Sequence, residues 1–199
     1  MSWMNKNTGI TAPTRTANAE SAAGGGGFKD GDRANVRIER ISRKASDNAD
    51  LIAQHGKEGA DNGIAIMHRV KETADGKNVN RCVFQSLYIM SSNPTRAAQD
   101  AQYLAALCTL ADENHGGDGL YEEIIEGSEF PDDELLKDLI GTDSGISVGV
   151  FLPKNAKPGE GAREFVRALK APYDFAETQT AGAGAGAGSA RSERRRNRG

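Results

Sequence analysis

The residues of this sequence best placed to do chemistry lie in the stretch 79–90, where two sets of side chains alternate. An extended strand there puts Cys82, Phe84, Ser86, Tyr88 and Met90 on one face and Val79, Val83, Leu87 and Ile89 on the other. Left uncovered, a face carrying Phe84 and Tyr88 is a ladder on which nucleobases stack, since every base offers a π face. Arg37, Arg69, Lys71 and Arg81 flank that ladder and supply cations of the kind that hold phosphates. Covered on both sides, the same Phe84 and Tyr88 are core residues, and that reading stands beside the first.

A second candidate lies at the C-terminal end. Alternating Ala and Gly over 181–188 lead into a segment with five arginines: Arg191, Arg194, Arg195, Arg196 and Arg198. Such a segment has no apolar surface to offset the entropy of ordering, so composition predicts a flexible arm that seeks a polyanion. The partner is either nucleic acid or the acidic body of the protein itself. The whole chain has a net charge of −3, but the charge is unevenly spread. Residues 28–111 hold 12 Lys and Arg against 10 Asp and Glu, whereas 112–153 hold one Lys against 12 acidic groups. One surface can therefore meet a phosphate backbone while another repels it, binds a cation, or simply stays solvated.

Other chemistries find little in the residue types. His55, His68 and His115 fall in a polar loop, a strand and a Gly-rich turn, without a Ser-His-Asp or Cys-His motif in sequence, so no enzyme is expected. Residues 112–123 match part of a calcium loop through Asp112, Asn114, Gly117 and Glu123. Gly116 and Gly119 stand where that loop needs other residues, and no second hand exists, so the stretch reads as an acidic turn and neither metal nor cofactor is expected. The run Gly24 to Gly27 has no strand before it and no Gly-Lys-Ser/Thr after it; it reads as a linker and not as a phosphate loop. Two cysteines, Cys82 and Cys108, sit in apolar runs and read as buried free thiols of a reducing compartment. No stretch is apolar enough to span a bilayer and no signal segment opens the chain, so a soluble cytoplasmic protein is expected.

The elements that must position these residues follow from periodicity. Strands are predicted at 34–41, 64–70, 79–90 and 145–152, with a polar loop around His55 and Gly56; 163–170 reads as the partner strand of a closing hairpin in preference to a short helix. Asp75-Gly76 between the second and third runs predicts a tight hairpin. A helix is predicted over 94–112, with Asn93 as its cap and Pro94 in its first turn, and a short one over 131–140. The order β-β-β-α-α-β-β predicts an α+β, mainly β fold: an antiparallel sheet or small barrel with an inserted helical pair. One domain is expected over 28–176, between a flexible N-terminal segment, 1–27, and a flexible tail, 177–199.

The run from Arg81 to Pro94, the helix carrying Ala97 to Cys108, and the late strand pair beginning at Gly145 resemble a phage-type single-stranded-DNA-binding protein of the OB-fold class. The resemblance covers roughly residues 28–176. It implies an OB-like barrel, sequence-tolerant binding of single-stranded nucleic acid, DNA above RNA, and work beside phage replication or recombination proteins in the host cytoplasm. A homo-oligomer is compatible with it. One departure is clear, because many such proteins end in an acidic tail and this one ends in arginines. The competing expectation is a phage structural or adaptor protein that docks a protein partner through its acidic surface.

Overall fold

The first strand, β1 (Arg33–Lys44), buries Ala34, Val36, Ile38 and Ile41 and exposes Arg33, Arg37, Glu39 and Arg40, the division its alternating sequence calls for. A computed structural model of the protein describes residues 27–117, 119–151 and 162–176. All of the expected N-terminal segment 1–27 except Gly27, and the tail from 177 onward with Arg191, Arg194, Arg195, Arg196 and Arg198, lie outside the described residues. Among those described, five strands and four helices follow in the order βαββαααββ.

Where a polar loop was expected, the chain forms helix α1 (Ala49–Asp61). Asn48 caps it by accepting from the amides of Asp50 and Leu51 at 2.9 and 3.3 Å, and Lys57 pairs with Asp61 one turn on at 2.8 Å. Gly56 interrupts the helical backbone with φ 74°, and a glycine at the centre of the segment together with Gly59 is a composition that reads as loop.

Strand β2 (Gly63–Thr73) pairs antiparallel with β1, and β3 (Cys82–Leu87) pairs with β2. The two are not joined by the tight hairpin that Asp75-Gly76 suggested. Asn78 and Asn80 both take positive φ, 60° and 68°, which breaks the strand before Cys82. At the other end the Tyr88 amide turns away to donate to the Asp100 carboxylate at 2.7 Å, so β3 ends at Leu87 instead of continuing to Met90.

Helix α2 (Pro94–His115) begins as expected, with the Asn93 side chain accepting from Arg96 N at 3.2 Å, and stops at Gly116, whose φ is 90°. Two short helices follow, α3 (Leu120–Ile125) and α4 (Asp133–Lys137), of which only the second was expected. The Asp112 carboxylate accepts from the amides of Leu120 and Tyr121 at 2.7 and 2.9 Å. It therefore caps α3, an anionic group at a helix start. Among the described residues no group of three His, Cys, Asp or Glu is arranged to hold a metal ion.

Strands β4 (Asp143–Phe151) and β5 (Arg163–Lys170) form the closing antiparallel pair. The sheet runs β3-β2-β1-β4-β5, every neighbour antiparallel. Its two edges, β3 and β5, come close enough to touch, but no hydrogen-bonded ladder joins them among the described residues. Helix α2 packs against β3, β4 and β5 and seals the core with Leu104, Leu107, Cys108 and Leu110. The fold is thus α+β around a curled, five-stranded antiparallel sheet. None of the described helices is long and apolar enough to cross a membrane. Cys82 is half-buried and Cys108 buried, both as free thiols, and burial pushes the Cys108 thiol well up.

One core residue makes the fold sensitive to acid. His68 points inward from β2 at 0 % exposure, and its Nε2 meets Gln85 Oε1 at 3.1 Å. Burial holds its pKa down to about 4, against a partial upward pull from Gln85. Because the folded value lies below the ordinary one, the unfolded chain takes up the proton first. The stability from a neutral His68 is complete above about pH 6.5 and is lost as pH falls through 4, a change of about 3 kcal/mol. His55, also shifted down by burial, contributes in the same direction. Urea midpoints measured from pH 7 to 4 are expected to fall less steeply in His68→Gln than in wild type; identical slopes would refute the assignment.

Candidate nucleic-acid interface

The strand register fixes which side chains meet on the outer face of β1, β2 and β3. Phe84 stands opposite Met67, and Met67 opposite Arg40, making one row across three strands. On one side of it lies the row Ser86, Ala65 and Ser42; on the other lies Cys82, Arg69 and Arg37, which continues to Asp143 on β4. Rows are about 6.8 Å apart and strands about 4.8 Å apart, so these side chains form one surface. Phe84 is 61 % exposed at the edge of that surface. An aromatic ring this open, beside a thioether and three arginines, offers stacking and charge together.

The electrostatics of the face are more restrained than its arginines suggest. Arg37 donates to both carboxylate oxygens of Asp143 at 2.8 and 2.6 Å. Arg69 donates twice to Glu39 Oε2, at 3.0 and 2.6 Å, and once to Asn80 O at 2.6 Å. Both guanidinium groups hold their protons more tightly for these bonds. Arg81 donates to Glu164 at 3.1 Å and stands 5.9 Å from the centre of the Phe28 ring. Solvent-exposed pairs of this kind contribute little to stability, so a phosphate can replace the carboxylate at small cost while the pair keeps the guanidinium oriented. Lys71 is the extra residue of a bulge in β2, since Asn35 faces Glu72 and Val36 faces Val70. It has no carboxylate partner among the described residues.

The expected ladder of Phe84 and Tyr88 is not formed. Tyr88 follows the end of β3, is 7 % exposed, and stacks on the His55 ring with centroids 3.9 Å apart and planes 9° from parallel. The strand stops because Asp100, fully buried, collects the Tyr88 amide and Arg96 Nε at 2.7 and 2.6 Å. Met67 and Arg40 are the residues of the face that sequence reasoning missed. Met67 was legible in the alternation Ala65, Met67, Arg69, Lys71; Arg40 was not, because the bulge at Glu39 shifts the period of β1.

A serine and a histidine also meet in space without a sequence motif. His55 Nδ1 lies 3.1 Å from Ser91 Oγ, which also accepts from Asn93 N at 3.2 Å. Burial lowers the His55 pKa; Arg96 adds to this and Asp100 opposes it. A methyl group placed on Gly59 would sit 2.8 Å from Ser91 Cα, so α1 rests directly on this pair. The arrangement locks α1 to the β3–α2 connection, and both side chains are buried. On the helical side, Glu123, Glu129, Phe130, Asp132, Glu134 and Asp138 are among the residues that line an acidic groove of about 670 Å³.

No protein-family model matches this chain, and no curated protein or solved structure matches it either.

Proposed function

We propose that the protein is a non-enzymatic, sequence-tolerant single-stranded-DNA-binding protein with an OB-like barrel, acting in phage DNA replication or recombination in the host cytoplasm. One observation carries the reading. The strand order β3-β2-β1-β4-β5, with helices inserted between β3 and β4, is a five-stranded Greek key, and its exposed aromatic stands on the outer face of β3. That order supports an OB-like barrel, and in OB-folds the face of strands 2 and 3 is where oligonucleotides lie. Phe84 and Met67 then stack on bases, Arg37, Arg69 and Arg40 hold phosphates, and Lys71 and Arg81 extend the charge to either side.

A titration of labelled single-stranded and duplex DNA, read by fluorescence anisotropy, tests this. Single strands are expected to bind well ahead of duplex. Phe84→Ala is expected to weaken binding by about 1–3 kcal/mol with the fold intact, because the ring is mostly in solvent. Absence of binding, or equal affinity for duplex, overturns the proposal. The acidic groove at Phe130 supports the second reading, a structural or adaptor protein that docks a partner there. That reading gains if neither DNA binds.

A further inference from the structure

A second aromatic lies on the same outer surface, beyond the arginine row. After β5 the chain turns back across β1 and β4. The Asn35 side chain receives it with two bonds: Nδ2 donates to Tyr173 O at 2.8 Å, and Oδ1 accepts from Tyr173 N at 2.7 Å. Asn35 faces Gly145 on β4, and Gly145 faces Lys170 on β5. A methyl group on Gly145 would stand 2.8 Å from Tyr173 Cδ2, so the ring lies on the bare backbone of β4 and any larger residue would lift it. Lys170 Nζ sits 3.9 Å from the ring centre, and the Arg33 guanidinium carbon 5.4 Å from it.

These two cations differ from those of the arginine row. Arg37, Arg69 and Arg81 are each matched by a carboxylate, whereas Arg33 and Lys170 are exposed and have no carboxylate partner among the described residues. Their visible partner is the Tyr173 ring. A cation over a ring is held weakly when exposed to solvent, and a lysine stem can swing its ammonium a few ångströms to a phosphate while the ring takes a base. Because both backbone bonds of Tyr173 are already made, little ordering remains to be done on binding.

We propose that Tyr173, with Lys170 and Arg33, is a second stacking position for the same single strand. The strand runs diagonally across the sheet from Phe84, over Arg69 and Arg37, to Tyr173. Counted in rows and strands, the two aromatics are roughly 20 Å apart, within the span of the roughly 4–16 nucleotides that one such fold covers. This inference rests on the reading of the β1–β2–β3 face given above, and its test separates the two.

The full chain is titrated with thymidylate oligonucleotides of four and of twelve residues. Tyr173→Leu, which keeps an apolar side chain on Gly145, is expected to weaken binding of the twelve-residue strand about tenfold and of the four-residue strand less than twofold. Tyr173→Phe is expected to bind as wild type. Lys170→Gln combined with Arg33→Gln is expected to flatten the slope of log affinity against log salt by about 1.4. If Tyr173→Leu leaves the twelve-residue strand unaffected while Phe84→Ala weakens it, the second position is wrong and the sheet face stands. An equal loss at both lengths, with a lowered melting temperature, makes Tyr173 a structural clasp and also overturns it. Should the wild-type chain fail to bind the twelve-residue strand, both proposals fall.

Discussion

Replacing Tyr88 by alanine is expected to destabilise the domain by about 3–5 kcal/mol, the cost of removing a large buried aromatic. The ring is held on three sides. It stacks on His55 of α1, lies beneath the Arg96 guanidinium of α2 at 5.9 Å, and sits so close to β2 that a methyl group on Gly63 would be 3.2 Å from Tyr88 Cε1. Its loss opens a cavity where three elements meet and uncovers the His55–Ser91 pair beneath. For a domain of this size that shift corresponds to a melting temperature lower by on the order of 10 °C. Urea unfolding of wild type and Tyr88→Ala, followed by circular dichroism, measures it. If the variant keeps its stability within about 1 kcal/mol but loses affinity for single strands, Tyr88 faces the ligand and its assignment to the core is wrong.

Tyr88 also shows how far sequence can be read here and where it stops. The strand pattern through Phe84 and Leu87 is clear, and the Asn93-Pro94 helix start is equally clear, because caps and period-2 alternation are local properties. What ends β3 is not local. Asp100, in the second turn of α2, reaches back to take the Tyr88 amide, so the face of Tyr88 is decided by a residue twelve positions on. The same limit explains the bulges at Glu39 and Lys71, which shift which side chains share a face. Five antiparallel strands, the long helix and the short acidic helix were legible. Ion pairing was not, since the partners of Arg37, Arg69 and Arg81 lie on other strands or across a bulge.

That pairing gives the C-terminal arginines their expected weight. Under the proposed function, with the arginine row of the sheet matched by carboxylates, weight falls on the five arginines that the sequence carries between 191 and 198. Each phosphate neutralised on a single strand contributes about −0.7 to the slope of log affinity against log salt. Removing residues 181–199 is therefore expected to flatten that slope by up to about 3.5 if all five arginines engage. Tyr173, three residues before Ala176, is bonded to Asn35 on the sheet surface that carries Arg37. The alternative attachment is the acidic groove at Glu123, Glu129, Asp132, Glu134 and Asp138, a contact that salt would weaken as well. Anisotropy titrations of the full and shortened chains across a salt series decide between the two attachments. A flatter slope with weaker binding at low salt assigns the arm to the nucleic acid. Tighter binding by the shortened chain at low salt assigns it to the groove, where it would hold the protein back from its ligand.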